Sequence, residues 1–320
     1  MLRPVNIRTD LAPLADLIEV AFASSMDSSG RSALREMRTM ARLSLGILPL
    51  ALLNDLTVGI SLGFVWEEDG RLVGNVSVYP AKLPRSVGSS WIIANVGVHP
   101  LYQRRGIARK LMLRAMQMIR DKEGAQALLQ VDDYNTAAID LYKGLGFVSE
   151  RTFSTYRRSP SLRFPVSPLT GRPYIRRRRR SEWRQEMQLA MELRPGERGG
   201  IGWLRPVVPE LFRPDMRRSL RDFVNLRSFE RLVVEPDAQR LQSVMWVERA
   251  FGATTRLSLM VHPSRAGIDD EALLGSYVRH SGSNTLTIEH PADDEGVRPV
   301  LERYRFLEQR TVIHMRWTAH

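Results

Sequence analysis

Apolar residues recur in two rhythms through the first half of the chain, and the rhythms predict alternating helices and strands. Residues 5–9 read as a short strand, followed by a helix with Leu11, Leu14, Ile18 and Phe22 on one face. The stretch SSMDSSG over 24–30 predicts a loop, and a second helix is expected over 31–43. GFVWEEDGRLVGNVSVYP predicts a hairpin, with one strand ending at Trp66, a Glu-Asp-Gly turn, and a second strand from Arg71 to Tyr79. WIIANVGV, residues 91–98, is almost wholly apolar, as a strand covered on both faces should be. A helix then runs to about Lys122, a second buried strand covers 127–131, and NTAAIDLYKGLGF forms a helix ended by Gly144 to Gly146. A last strand reaches about Tyr156.

The second half echoes the first. RLSLMVHPSRAGIDDEALLGSYV repeats the order of WIIANVGVHPLYQRRGIARKLMLRAM: apolar strand, His-Pro, a loop with Gly-Ile, then a helix. TLTIEHPADDEGVRPVLERYRFLEQRT likewise repeats ALLQVDDYNTAAIDLYKGLGFVSERT. The expected architecture is therefore two copies of one α+β fold. Between them, residues 157–180 hold four prolines and the run Arg176 to Arg180, which reads as a connector or strand edge, with polyanion binding as the alternative. The expected division is a first domain over 1–158, a Pro/Arg-rich linker over 159–180 and a second domain over 181–320. SEWRQEMQLAMEL, residues 181–193, predicts a capped helix.

Composition narrows the chemistry. The chain has 320 residues and a net charge of +12, from 47 Lys and Arg against 35 Asp and Glu, which suits phosphate-bearing partners without choosing among them. It has no cysteine, which excludes disulfides, thiolate metal sites and a cysteine acyl-enzyme. The histidines show no HExxH spacing, so no metal site is expected. The most apolar stretch, residues 43–65, is interrupted by Pro49 and by Asn54-Asp55 and predicts a buried helix end running into a strand. With no signal-like N-terminus, a cytoplasmic protein is expected.

The candidate chemistry lies in HPLYQRRGIARKLM, residues 99–112. A helix start leaves backbone N–H groups without partners, and an anion can satisfy them. Gly106 lets backbone approach such a ligand, Ala108 keeps the first turn uncrowded, and Arg104 and Arg105 add positive charge. A dinucleotide fold would require GxGxxG after an early strand, and the sequence has none.

Gln103-Arg104-Arg105-Gly106-Ile107-Ala108 resembles the acyl-CoA loop of the Gcn5-related N-acetyltransferase (GNAT) family, and Asn135 through Tyr142 to Phe147 resembles that family's second signature. The resemblance is strongest from about residue 60 to 156. It implies a mixed, mostly antiparallel twisted sheet flanked by helices in each copy. It further implies that the amides of residues 104–108 hold the CoA pyrophosphate, and that the backbone of Val96 and Val98 pairs with pantetheine. The implied reaction moves an acetyl group from acetyl-CoA to a primary amine, on a small molecule or peptide, by direct transfer in a ternary complex. Asn135 is implied at the cofactor and catalytic site, and Tyr142, protonated at neutral pH, is the expected donor to the departing thiolate.

The base is not fixed by this pattern. The family often places a carboxylate on the strand before the loop, where this sequence has Asn95. Asp132 is the candidate carried forward, with Asp133, Glu67 and Glu68 as others acting through water. His99 reads as a strand end, because His-Pro recurs at His262. The second copy should not bind CoA: it lacks Gln-Arg-Arg, its loop is shorter, and Asp269 and Asp270 put negative charge where pyrophosphate would sit. The resemblance extends to tandem members of the family. O-acyl transfer to a hydroxyl, or a non-catalytic acyl-CoA or polyanion-binding module, are the alternative functions.

Overall fold

The computed structural model describes residues 1–23, 26, 28–42, 63–160, 165, 173–215, 226–235, 240–250, 254–281 and 284–319. Most of the apolar stretch over 43–65, and parts of the loop at 24–30 and of the linker, lie outside these residues. The chain divides into two compact units. The first comprises Met1–Gln130, Ala137–Val148 and Met315–His320; the second comprises Val131–Thr136 and Ser149–His314. These units cut the chain differently from the sequence boundaries at 158 and 181.

In the first unit the chain starts with β1 (Leu2–Pro4) and enters α1 (Ile7–Ala21) directly. The strand expected over 5–9 is thus shifted to Leu2–Pro4, and the physical reason is a cap. The Asn6 side chain accepts from the Arg8 amide at 3.0 Å, and the buried Asp10 carboxylate takes the Asn6 amide at 2.7 Å and Arg3 at 2.6 Å. Leu11 and Leu14 of α1 pack with Leu34 and Met37 of α2 (Ser28–Arg42) and with Val65. β2 (Gly63–Glu68) and β3 (Arg71–Pro80) form the predicted hairpin. Its two-residue turn has Asp69 at φ +50° and Gly70 at φ +72°, the left-handed pair that matches strand twist.

β4 (Ser90–Val98) pairs antiparallel with β3, and α3 (Ile107–Asp121) follows it. β5 (Gln126–Asp132) lies parallel to β4, giving the order β1-β2-β3-β4-β5. Two glycines let helices close onto opposite faces of this sheet. A Cβ on Gly74 would lie 2.8 Å from the Ile107 side chain of α3, and one on Gly97 would lie 3.0 Å from Phe22 beyond α1. α4 (Thr136–Lys143) carries Tyr142 into the core beside Phe147, and Phe147 in turn faces Trp317 from the chain's last strand.

The second unit holds most of β6 (Val148–Arg158), then β7 (Ile175–Arg177), α5 (Trp183–Leu193), the single turn α6 (Pro209–Phe212), β8 (Arg227–Val234), β9 (Ser243–Ala250) and β10 (Thr255–Val261). α7 (Asp269–His280), β11 (Leu286–Pro291), α8 (Arg298–Arg303) and most of β12 (Leu307–Thr318) complete it. Its strands run in the order β12-β6-β11-β10-β9-β8-β7. Leu257, Leu259 and Ile288 pack under α7 and α8 on one face. Val244, Trp246 and Met260 pack under α5 on the other.

β7 lies inside the stretch expected to be linker, and its pairing with β8 changes the meaning of the arginine run. The run is a strand edge, as one reading expected, but it is not a solvated connector. Arg176 meets Glu182 at 2.6 Å, Arg177 meets Glu230 at 3.0 Å, Arg178 meets the fully buried Glu186 at 2.7 Å, and Arg179 meets Glu235 at 3.5 Å. Four of the five charges are neutralised by the second unit's own carboxylates.

Candidate active site

β4 and β5 stay together for only three residue pairs, Ser90↔Gln126, Trp91↔Ala127 and Ile92↔Leu128. Beyond Ile92 the pairing with β5 ends, and the pairing of β4 with β3 then shifts register. Ser77 faces Ala94, but Asn75 faces Gly97, so β4 holds one extra residue there. Asn95 takes up the bulge with φ +51°, a left-handed conformation that Asn tolerates better than most residues. Its amide reaches Ser77 Oγ at 3.2 Å, and the buried Asn75 amide donates to the Asn95 carbonyl at 3.0 Å. Where the family often has an acid, this strand has a polar residue that takes up a bulge.

The edge beyond Ile92 includes Val96 and Val98. His99 N–H donates to Val73 O in β3 at 2.9 Å, so strand alternation directs the polar groups of Val98 away from β3. The pairing of Gly97 with Asn75 does the same for Val96. In this structure Gln103 Nε2 donates to Val98 O at 3.2 Å, which shows that the carbonyl is available to a donor.

At the end of this edge the chain turns into α3. Arg104 has φ +65° and Gly106 has φ +76°, so the backbone curls in a left-handed sense twice within three residues. Gly106 is the helix N-cap and supplies no side chain to the free amides of the first turn, and a Cβ there would meet nothing within 4 Å. Ile107 is buried and anchors the turn, while Ala108 is half-buried. Arg105 lies over the Tyr102 ring at 4.9 Å and pairs with Glu68 at 3.2 Å; Arg104 is exposed. The arrangement is an open cradle of amides with a cation on its rim.

Tyr142, in the same unit, is 6% exposed, and burial pushes its hydroxyl pKa upward. Asp132 and Asn135 belong to the second unit. Asp132 Oδ1 is held by Arg310 Nε at 2.5 Å, and Asn135 N–H donates to Asp132 O at 3.0 Å. Glu67 is bound by Arg3 at 2.7 Å and Glu68 by Arg105, so neither hairpin acid is without a basic partner. His99 caps a one-turn helix, its Nδ1 accepting from Leu101 N–H at 3.3 Å; His262 does the same for Ser264 at 3.3 Å. The repeated His-Pro is a structural turn.

The second unit repeats the layout and fills it. β10 and β11 share the same three-pair parallel register, but β10 against β9 has no bulge. Arg194, just past α5, donates to the carbonyl of Leu259, three residues before its His-Pro as Val96 is before the other. At the helix start, Asp270 accepts from the amides of Gly267 and Glu271, the latter at 2.8 Å. A guanidinium stands on the strand edge and a carboxylate stands in the cradle. Sequence reading found the acids; it had no signal for Arg194, which arrives from a distant helix.

Arg194 also meets Asp294 at 3.1 Å, beside the contact of His290 Nε2 with Asp294 at 2.9 Å. Burial holds His290 neutral, its pKa pushed down to about 4 from 6.5. The unfolded chain therefore binds a proton that the folded site refuses. Stabilisation from this residue is present above about 6.5 and is lost as pH falls toward about 4. Urea midpoints across that window should decline with acid, and less so in His290→Asn.

The Acetyltransferase (GNAT) family profile matches residues 40–147. A mycothiol acetyltransferase of Thermomonospora curvata is 34% identical over 98 residues, 30% of this chain and 31% of that protein. The N-alpha-acetyltransferase RimI of Mycobacterium tuberculosis is 35% identical over 78 residues, 24% of this chain and 46% of its own length. The chain thus spans less than half of these relatives. Solved structures extend the likeness in fold across the whole chain. A GCN5-related N-acetyltransferase from Sphaerobacter thermophilus matches at TM-score 0.59 and 17% identity, covering 99% of this chain and 95% of its own. A tandem GNAT protein from the clavulanic acid biosynthesis pathway matches at 0.51 and 16%, covering 100% and 98%.

Proposed function

We propose that the first unit of this chain, whose residues 40–147 match the Acetyltransferase (GNAT) family profile, binds acetyl-CoA and transfers the acetyl group directly to a primary amine. One observation carries the reading: beyond the last β4–β5 pair the polar groups of Val96 and Val98 point away from β3, and that edge leads into the uncapped amides at Gly106. Pantetheine is an amide chain that can pair with a strand edge, and pyrophosphate suits a helix start. Gln103, Arg104, Arg105, Gly106, Ile107 and Ala108 are the proposed pyrophosphate loop. The second unit is proposed as a degenerate copy, because Arg194 and Asp270 occupy the corresponding positions.

Attack by a neutral amine on the thioester carbonyl gives a tetrahedral intermediate, which expels the CoA thiolate. Tyr142 is assigned the hydrogen bond to that sulfur. Its raised pKa makes full proton donation unfavourable and favours a bond that strengthens as charge develops. Phenylalanine preserves the buried ring, so Tyr142→Phe should lower kcat by roughly tenfold to a hundredfold with unchanged acetyl-CoA affinity. Wild-type turnover in that variant would remove Tyr142 from the mechanism. Asn135 and Asp132 are carried as the motif's remaining catalytic candidates. If Asp132 serves as base, Asp132→Asn should lower turnover more than Arg310→Gln, which breaks the same ion pair and leaves the carboxylate.

A further inference from the structure

Two polar residues are buried in β3, a strand whose other inner positions are apolar. Val73, Val76 and Val78 belong to the core, yet Asn75 is only 2% exposed and Ser77 only 5%. Burying an amide or a hydroxyl costs free energy unless it is hydrogen-bonded. Among the described residues, these two side chains bond only to Asn95 in β4 and to each other.

The contacts converge on the bulge. A bulge residue drops out of the ladder, so its backbone needs another partner. Asn75 Nδ2 supplies one, donating to the Asn95 carbonyl at 3.0 Å. The atom of Asn75 at that contact is the nitrogen, because a carbonyl oxygen only accepts. Ser77 Oγ lies 3.2 Å from Asn95 Nδ2 and 3.4 Å from Asn75 Nδ2, and so ties the two amides together. Backbone and side chain of Asn95 are thus both held from β3, at a φ of +51° that few residues with a Cβ adopt.

The bulge stands at the reacting end of the proposed cofactor path. Followed back from Gly106, the edge passes Val98, then Val96, and reaches Asn95. With pyrophosphate at the first and pantetheine along the next two, the thioester arrives at the last. Resting on the acyl-transfer reading, we propose that Asn75 and Ser77 are positioning residues. They hold the bulge at Asn95 so that the acetyl carbonyl lies in one orientation for attack. Both are neutral and act through Asn95, so they set geometry and take no proton.

Ser77→Val and Ser77→Thr test this, since valine and threonine share one shape and differ in the hydroxyl. Asn75→Leu removes the donor at similar volume. Acetyl-CoA labelled isotopically at the carbonyl carbon reports the orientation through its infrared band when bound to the full chain, below each variant's melting temperature. Wild type and Ser77→Thr should give one band displaced from that of free acetyl-CoA. In Ser77→Val and Asn75→Leu the band should broaden and return toward the free position. Calorimetric affinity for acetyl-CoA should stay close to wild type, because the loop at Gly106 is untouched. Turnover should fall roughly tenfold to a hundredfold in both, the effect of misplacing reacting atoms by about 1 Å. A wild-type band in folded Ser77→Val and Asn75→Leu, as a merely structural pair would give, overturns the positioning role and leaves acyl transfer standing. Equal loss in Ser77→Thr and Ser77→Val traces the effect to crowding and overturns it too, as does a wild-type band identical to that of free acetyl-CoA. Wild-type protein that binds no acetyl-CoA removes acyl transfer, and this assignment with it.

Discussion

Gly106→Glu should weaken acetyl-CoA by roughly a thousandfold and leave the fold intact. The two halves of that expectation come from the same geometry. Gly106 sits at φ +76°, where an L-residue is strained by about 1–2 kcal/mol. Nothing lies within 4 Å of the position a Cβ would take, so no packing is lost. A carboxylate at a helix start is favourable to the helix dipole and returns part of that strain. The same carboxylate then stands where the pyrophosphate must sit, and like charges in contact cost several kcal/mol. The second unit already contains such an arrangement, with the Asp270 carboxylate on the amides of Gly267 and Glu271. Calorimetry with acetyl-CoA reads the loss, and a thermal melt confirms that the fold survives. Gly106→Ala is the companion control: it carries the strain without the charge and should bind far better than the Glu variant. Equal affinity in wild type and Gly106→Glu would end the cofactor assignment.

Glu186→Ala should cost about 3–5 kcal/mol of stability in the second unit. Glu186 is fully buried in α5, with Arg178 at 2.7 Å, Arg231 at 3.2 Å and Trp246 Nε1 donating at 2.5 Å. Burial raises its carboxyl pKa, although both guanidiniums work to hold it down. The ion cluster is therefore not a source of large net stability. Removing the carboxylate nevertheless leaves two desolvated guanidiniums without their buried counter-charge, and that is the expensive state. Arg177→Ala is the contrast, because that side chain is 78% exposed and its pair with Glu230 should be worth less than about 1 kcal/mol. Urea denaturation of both variants gives the comparison. A Glu186→Ala protein as stable as wild type would show that the guanidiniums find other partners.

Much of the first unit can be read from local pattern. Hydrophobic periodicity places its helices and inner strands, because burial imposes a period of two on strands and 3.6 on helices. The Asp69-Gly70 turn follows from backbone sterics, and the Gly106 loop follows from the need of helix amides for a partner. His-Pro reads as a strand end at His99 and again at His262, and at both the imidazole caps the turn that follows. The strand misplaced at 5–9 is instructive. Apolar residues there suggested extension, but Asn6 and Asp10 satisfy the amides of a helix start, and that local bonding decides the conformation.

The order of strands and helices, the repeated unit and the amide cradle before α3 were determined by the chain itself, since each depends on residues close in sequence. Tertiary structure alone decided what the charges and edges do. The bulge at Asn95 depends on Ser77 and Asn75 in the neighbouring strand, and the arginine run acquires its meaning from Glu186, Glu230 and Glu235. Arg194 reaches the edge of β10 across a separation of 65 residues, and Trp317 meets Phe147 from the end of the chain. Polar side chains choose partners by desolvation and geometry, and no periodicity in one strand records which distant group will arrive to satisfy them.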